Sequence, residues 1–445
     1  MKQLVIFICT FAAGIFCISA LLAKPLAKPV SRTDEVTLFL TGNELGALQP
    51  CGCTGGQLGG LDRRKAVFDS VPASKRMVID TGSLIETDSE QNLIKFDIIV
   101  QAYNLLGYDV VNLTEKDIEI GRGRGLLDGM GLFYNIISSV MVYDVNIPRK
   151  FTKEFALQEK TVVVTIATFD AELSPIDQVD ELFVDGEGLN TINVLILNNC
   201  DEQVTSSISE MALDVDCIVC PSETDEPMMI SKPNKRPLVF SVGQFGKYVC
   251  KVQAVFASAY EKPNLVFSPV KVAEDLPQDE FLVDLYKDYQ QFVKEAKLLE
   301  KYPRFTLPDG LKYEGSKSCL KSCHEYEYEK WSEKEHAHAY ETLVEVGSQF
   351  DPECVICHVV GMDYESGFIS EEKSGDDFRD VGCENCHGPG SEHNRTLGRT
   401  KTTLPWSDCT DCHTPEHSPD FLDHELVNFE KITHWKEPYA AKSVE

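Results

Sequence analysis

Two cysteines followed directly by a histidine occur four times in the last third of the sequence. The motifs are Cys319/Cys323-His324, Cys354/Cys357-His358, Cys383/Cys386-His387 and Cys409/Cys412-His413. Two thiols about one helical turn apart can bond both vinyl groups of a porphyrin, and the adjacent histidine then lies below the iron as its proximal ligand. The motifs therefore predict four covalently attached c-type haems.

Zinc is the alternative cofactor for such motifs, because paired cysteines with histidine also build structural zinc sites. Zinc sites do not require a histidine directly after every second cysteine, so the pattern favours haem. The first motif has three residues between its cysteines, from Leu320 to Ser322, where the other motifs have two. We expect this longer loop to affect the placement of its haem and not its attachment.

All ten histidines lie in this part of the chain, and His324 is the first of them. The motifs use four, and six remain as candidates for the second axial position on an iron: His336, His338, His393, His417, His424 and His434. The ordinary role of such a histidine is a solvated or structural one. Iron in a low-potential electron carrier takes a second imidazole, which favours ligation by some of the six.

The segment from about 312 to 435 resembles the cytochrome c-552/4 family of tetrahaem electron carriers of the nitrogen cycle. The resemblance rests on Tyr328 and Trp331 after the first motif, the His-Ala-His-Ala run at 336–339 and the block GCENCHGPG at 382–390. In that family, distal ligands stand at positions that match His336, His393 and His434. Three distal ligands for four haems imply one five-coordinate iron, whereas ligation by His338 or His424 would close all four.

The charge of the chain excludes several kinds of partner. Over 445 residues, 42 Lys+Arg oppose 71 Asp+Glu and give a net charge of -29, which argues against nucleic acid and anionic lipid. The part from Lys312 to the end holds 13 basic and 28 acidic residues. We expect redox protein partners with a basic docking face, and haem as the core that so polar a stretch lacks.

Residues 1–30 are typical of a signal peptide or an N-terminal membrane anchor. Lys2 precedes an uncharged apolar run from Leu4 to Ala23, which is long enough to span a bilayer. Bulky Leu21 and Ile18 stand where a cleavage site has small residues, so both cleavage and a membrane tether stay open. The predicted location is the periplasm or the outer face of the cytoplasmic membrane.

Residues 36–270 predict an α/β domain, because short β-branched runs alternate with helical stretches. A helical linker is predicted over 271–311, with an amphipathic helix from about Pro277 to Lys301, and a mainly helical or irregular multihaem cytochrome domain over 312–445. The α/β domain is similar to the calcineurin-like metallophosphoesterases of the periplasmic 5'-nucleotidase type. This resemblance implies a four-layer sandwich, in which two sheets lie between helices.

The phosphoesterase family builds a two-metal site from Asp, His and Asn, and the matching positions of this chain carry other residues. They are Asn43-Glu44-Leu45, Gly82-Ser83, Thr114-Glu115-Lys116-Asp117, Asn198-Asn199 and Cys220-Pro221. A domain without histidine cannot build that site, so we expect a non-catalytic relative kept for shape or docking.

Cys51 and Cys53 stand one residue apart in a glycine-rich loop and form a candidate redox pair. A strained disulfide, a redox-active dithiol, a metal-ligand pair and inert thiols all fit this spacing. The loop lacks the Gly-Lys-Ser/Thr ending of a phosphate-binding loop, so its glycines favour a tight turn. The remaining cysteines of the domain are expected to be structural, with no pairing assigned: Cys200, Cys217, Cys220 and Cys250.

The leading functional hypothesis is an exported tetrahaem c-type cytochrome that transfers electrons between redox partners. The alternative is an oxidoreductase acting on a small nitrogen or sulfur compound at one five-coordinate haem, fed by the other three. A third hypothesis is a subunit of a surface assembly whose haems stack across subunits. A phosphohydrolase fits least, because the metal ligands are missing.

Overall fold

A computed structural model of the protein describes residues 34–435, except 51–56, 124, 126, 128–133, 142–145, 159, 184–187, 189, 212–213, 233–234, 258–260, 321–322, 416, 419–420 and 422–423. The predicted export segment and the Cys51/Cys53 pair lie outside the described residues. Within the described ones, no helix has the length and apolar character needed to cross a membrane.

Two β-sheets form the first part of the described chain. Their strands are β1 (Asp34–Thr41), β2 (Arg76–Asp80), β3 (Val110–Asn112), β4 (Asn135–Ile137), β5 (Lys150–Ala156), β6 (Thr161–Phe169), β7 (Thr191–Leu197), β8 (Cys217–Cys220), β9 (Leu238–Ser241), β10 (Tyr248–Phe256) and β11 (Asn264–Lys271). The larger sheet has the order β11-β10-β1-β2-β3-β4 and the smaller β5-β6-β7-β8-β9. β1 to β4 are parallel neighbours, as are β6 to β9, so several strand carboxyl ends meet at one edge.

The helices of this part are α1 (Leu61–Asp69), α2 (Glu90–Leu106), α3 (Glu115–Gly123), α4 (Glu202–Met211), α5 (Glu280–Ala296) and α6 (Leu298–Lys301). Alternate residues of β1 point to opposite faces of its sheet. Leu38 lies in the apolar core between the two sheets, and Phe39 lies in the core shared with α1, α2 and α5. A third core joins the outer face of the smaller sheet to Ile208 of α4. These layers confirm the predicted α/β four-layer sandwich.

The helix predicted over 277–301 is two helices that meet at Lys297. α5 begins after Asp279, whose carboxylate accepts hydrogen bonds from the backbone N–H groups of Phe281 and Leu282, a common N-cap. Lys297 is left-handed, with φ 52°, and ends the helix. α5 packs against α2, and its buried side chains belong to the first core: Leu282, Leu285, Tyr289 and Val293. The predicted linker helix is therefore part of the α/β layer structure.

Short helices and loops make up the described chain beyond Lys312, as the sequence predicts. The helices are α7 (Ser316–Leu320), α8 (Glu325–Ser332), α9 (Ala339–Val346), α10 (Pro352–Val355), α11 (Glu371–Ser374), α12 (Cys383–His387), α13 (Ser391–Arg395) and α14 (Glu425–Lys431). The protein cores here are small, and the larger one gathers Leu299, Tyr340, Leu343, Val355, Val359, Met362 and Phe368. This part has little apolar protein core of its own.

Candidate functional site

Each cysteine–histidine motif has its first cysteine in a helical segment, and the third motif lies wholly within one helix. Cys319 is in α7, Cys354 is in α10, and the whole third motif forms α12. Cys409 begins a 3-10 turn that runs to Asp411. One turn of helix brings residues three apart to the same face, which is the arrangement that attachment to one porphyrin needs.

The thiols of different motifs contact one another. Cys319 is hydrogen-bonded to Cys383, which brings the first motif beside the third. Cys412 is hydrogen-bonded to Cys357, which brings the fourth motif beside the second. Cys386 of the third motif is also close to Cys409 and Cys412 of the fourth, so the four motifs form one connected cluster. The recorded disulfide lies elsewhere, between Cys200 and Cys220 of the first domain.

Three motif histidines each face a histidine that is distant in sequence. The ring centroids are 6.1 Å apart for His324 and His393, 6.2 Å for His413 and His336, and 6.3 Å for His387 and His434. A metal ion bound between two imidazoles, with metal–nitrogen bonds of about 2.0 Å, separates the ring centroids by roughly 6 Å. The three gaps match that separation. The residues therefore fit an iron between each pair.

The Nδ1 atoms of several of these rings are already occupied by backbone oxygens. His393 donates from Nδ1 to Thr400 O at 2.9 Å, and His434 to Ile432 O at 2.9 Å. His358 donates from Nδ1 to Ala339 O at 2.5 Å. Because a carbonyl can only accept, these bonds assign the proton to Nδ1 and leave the Nε2 lone pair for a metal.

Burial favours the neutral, metal-binding form of other rings of the set. Desolvation lowers the pKa of His336, His387 and His413, and neighbouring histidines lower each of them further. The His413 ring is also fixed in place. Its Nδ1 is 3.0 Å from Ser418 Oγ, and Phe421 stacks on it with 4.3 Å between ring centroids.

The remaining histidines are placed differently. His358 is in none of the three ring pairs of the described residues. His338 is exposed, and its Nε2 is 3.1 Å from Ser332 O, which occupies the atom that a haem ligand would use. His424 is exposed as well, whereas His417 is half-buried. The alternative ligation by His338 is therefore disfavoured by the geometry.

Glu384, inside the third motif, is a buried carboxylate that sequence reasoning did not single out. It is 2% exposed and accepts hydrogen bonds from the backbone N–H groups of Gly315 at 2.7 Å, Gly390 at 2.6 Å and Glu314 at 3.0 Å. Burial raises its pKa, and the three N–H groups oppose that rise. Gly315 leads into the first motif and Gly390 into α13, which carries His393. The hydrogen bonds of Glu384 therefore connect the third motif to the start of the first motif and to α13.

The first domain brings its substituted metal positions to one small pocket at the carboxyl ends of the strands. Asn43, Thr81, Thr114, Asn198 and Cys220 all line it. No group of three His, Cys, Asp or Glu side chains arranged to hold a metal ion occurs among the residues that the structure describes.

The polar groups around this pocket bind one another. Asn198 accepts from Asn112 Nδ2 at 2.7 Å and donates to Ser139 Oγ at 2.7 Å. Asp117 accepts from the backbone N–H groups of Ser83 and Leu84 at 2.9 and 2.8 Å. The side chains at these substituted positions thus form hydrogen bonds within the domain.

A buried charged cluster lies where β1 and β2 end. Arg64 and Glu44 form an ion pair of 2.7 Å with both side chains at most 1% exposed. Asp80 is fully buried beside them and accepts from Thr41 Oγ1 at 2.8 Å and Tyr103 OH at 2.9 Å. Burial raises the pKa of Asp80 from 3.8 to about 7, against the effect of its hydrogen bonds.

The raised pKa of Asp80 makes the free energy of unfolding depend on pH. The folded state holds the Asp80 proton more tightly than the unfolded state, so this contribution is complete below pH 3.8 and is lost as the pH rises through about 7. We expect the free energy of unfolding to fall with pH in this window, by up to ~1.4 kcal/mol per pH unit relative to Asp80→Asn. Urea unfolding of both proteins between pH 4 and 8 measures it, and parallel curves would contradict the expectation.

Comparisons with known proteins divide the chain in the same way. Residues 318–388 match the family model described as Cytochrome c554 and c-prime. Cytochrome c-554 of Nitrosomonas europaea is 34% identical over 107 residues, which cover 19% of this chain and 45% of that protein. The chain therefore spans less than half of this relative. The resemblance inferred from the haem motifs is confirmed for this segment.

Solved structures similar to this chain include phosphoesterases. A 5'-nucleotidase precursor from Thermus thermophilus has 16% identity and a TM-score of 0.47, covering 61% of each chain. A calcineurin-like phosphoesterase from Bacillus subtilis has 12% identity and a TM-score of 0.47, covering 59% of this chain and 99% of that one.

Proposed function

We propose that the protein is an exported tetrahaem c-type cytochrome that transfers electrons between redox proteins. The observation that carries the proposal is the set of three histidine pairs, each joining a motif histidine to a distant one at 6.1 to 6.3 Å between centroids. Bound haem iron would supply one-electron oxidation and reduction, with a potential tuned by its axial ligands and surroundings.

The ligands follow from the pairs. Cys319, Cys323, Cys354, Cys357, Cys383, Cys386, Cys409 and Cys412 would attach four haems, with His324, His358, His387 and His413 as proximal ligands. His393, His336 and His434 would be the distal ligands opposite His324, His413 and His387. The proximity of the thiols of motifs one and three, of motifs two and four, and of motifs three and four supports close spacing of the haems.

The chain's own groups hold these ligands in the form that iron binds. Backbone carbonyls keep the proton of His358, His393 and His434 on Nδ1 and orient each ring. Burial lowers the pKa of His336 and His387 and so favours their neutral form. The site is thus pre-organised, so that little rearrangement accompanies a change of charge at the iron.

The surface supports a protein partner of opposite charge. The part from Lys312 onward carries 28 acidic and 13 basic residues, and haem propionates would add to this charge. A partner with a basic docking face would be steered to it at low ionic strength. The proposed location is the periplasm or the outer face of the cytoplasmic membrane, where the N-terminal segment would deliver or tether the chain.

A second candidate function rests on His358. Since this histidine is in none of the ring pairs, its iron would keep one axial position for a small nitrogen or sulfur compound, as an oxidoreductase requires. The carrier and the oxidoreductase differ in turnover. Nitric oxide or carbon monoxide would bind the open iron in either case. Only the oxidoreductase would consume a small nitrogen or sulfur compound when supplied with electrons.

Pyridine haemochrome analysis and electron paramagnetic resonance of the matured chain test the proposal. We expect four haems per chain, three of them low-spin and one high-spin. Fewer than four haems, with loss at Cys319/Cys323, would show that the longer first motif is not used. Zinc in place of haem at any motif, measured by elemental analysis, would contradict the cofactor assignment.

A further inference from the structure

The segment that carries the second motif is held by side chains of the α/β layers. Asp351 is the N-cap of α10, the helix that contains Cys354, and it is 6% exposed. Its carboxylate accepts hydrogen bonds from Tyr289 OH at 2.7 Å and from Gln91 Nε2 at 2.8 Å. Gln91 also donates to Tyr289 OH at 2.9 Å, which closes a three-residue network between α2, α5 and α10.

An ion pair lies next to this network. Lys95 of α2 is 8% exposed, and its Nζ lies 2.6 Å from Oε2 of Glu353. Glu353 directly precedes Cys354. The ammonium of Lys95 is therefore held beside Glu353, the residue before the haem-attaching Cys354. It compensates the negative charge of the Glu353 carboxylate.

Apolar contacts hold the same segment from both sides. Phe350 packs against the core of the first domain, and the ammonium of Lys294 lies 4.7 Å from its ring centroid. Val355, inside α10, is fully buried in the core that also contains Leu299. The neighbouring Leu298 belongs to the core of the first domain. The segment 350–355 is thus as firmly held by the first domain as by the haem domain.

We propose that the first domain positions the second haem and sets its reduction potential through Lys95, Gln91 and Tyr289. The inference rests on the proposed function, because it concerns the haem whose proximal ligand would be His358. It gives the phosphoesterase-like domain a role other than phosphate chemistry. Helices α2 and α5 would support the segment of the second haem, and Lys95 of α2 would supply one compensating positive charge. Lys95, Gln91 and Tyr289 are positioning residues and touch no iron ligand.

Two single substitutions change the potential in opposite directions. Lys95→Met leaves Glu353 negative and uncompensated, which disfavours the added electron and lowers the potential of the second haem. Glu353→Gln leaves Lys95 positive and raises it. At a separation of about 10 Å and an effective dielectric constant of about 50, one charge changes the one-electron equilibrium constant by roughly threefold. Purely structural loosening gives the same direction for both variants, so opposite signs identify the charge effect.

The experiment is a spectroelectrochemical titration of the matured full chain at low ionic strength, following the high-spin haem separately from the low-spin ones. We expect the double variant Lys95→Met with Glu353→Gln, in which both charges are absent, to lie near the wild-type value. Lys153→Met is the matched control, because Lys153 pairs with Asp109 inside the first domain at 2.6 Å. This control is expected to leave all four potentials unchanged.

The outcomes separate this inference from the proposed function. A wild-type chain with fewer than four haems, or with no high-spin haem, would contradict the ligand assignment. A wild-type chain with one high-spin haem whose potential is the same in both single variants, or moves equally with the low-spin haems, would overturn the inference alone. Glu353 is 56% exposed, so Glu353→Gln and Glu353→Lys both keep the fold, and where Lys95→Met fails to fold, a charge effect raises the potential about twice as far in Glu353→Lys as in Glu353→Gln.

Discussion

Replacing His393 by alanine is expected to double the high-spin signal of the matured protein, from one haem per chain to two. The His393 ring faces His324 with 6.1 Å between centroids, and its Nδ1 is bonded to Thr400 O. Removing this ring leaves the iron above His324 without its second imidazole. Electron paramagnetic resonance of the oxidised protein counts the high-spin haems, and added carbon monoxide should then bind two reduced haems per chain.

His338→Ala is the matched control for this substitution. His338 is, like His393, a histidine outside the four motifs. It is exposed, and its Nε2 contacts Ser332 O, so it faces no motif histidine. We expect the control to retain one high-spin haem. A second high-spin haem in His338→Ala, together with an unchanged spectrum in His393→Ala, would exchange the roles of the two residues and contradict the pairing.

Glu384→Gln is expected to destabilise the haem domain by about 3 kcal/mol. The carboxylate accepts from three backbone N–H groups, whereas an amide places an NH₂ group against at least one of them. Each buried donor left without an acceptor costs about 1–3 kcal/mol. Because Gly390 leads into the helix that carries His393, the low-spin signal of that haem should weaken before global unfolding. Thermal unfolding followed by both absorbance and spin state measures the two effects.

Glu392→Gln provides the comparison for Glu384. Glu392 lies in α13 and pairs with the exposed Arg395 at its surface, and exposed pairs of this kind contribute little to stability. Its substitution should leave the melting temperature and the spin states unchanged. Equal destabilisation by both variants would mean that the loss of negative charge, and not the loss of the three backbone hydrogen bonds, determines the effect.

The proximal half of the candidate site was predictable because its chemistry is local. Cys383, Cys386 and His387 fall within a single turn of helix, so their spacing alone indicates the geometry. The layers of the first domain were predictable for a similar reason. Consecutive apolar residues such as Leu38 and Phe39 indicate a strand that is buried on both faces, as in a sheet between two layers.

The distal half depends on long-range folding. His387 and His434, or His413 and His336, meet only once the intervening loops have closed, and no local spacing encodes that meeting. The family resemblance named His336, His393 and His434 as ligands but could not assign each to an iron. The structure supplies the pairs, and it leaves His358 outside them.

The buried polar contacts between the two domains could not be predicted from the sequence either. Gln91, Tyr289 and Asp351 are ordinary surface-type residues in the sequence, and only their three-way hydrogen bonding makes them a junction. The break at Lys297 was hidden as well, because the apolar pattern continues through it and nothing in the residue type predicts a positive φ.

The adjacent leucines of α6 couple the two cores. Leu298 belongs to the core of the α/β layers and Leu299 to the core around Val355, so one short helix packs on both. A shift of α6 would disturb both cores at once. The α/β layers and the segment around Cys354 are therefore expected to lose their packing together and not one after the other.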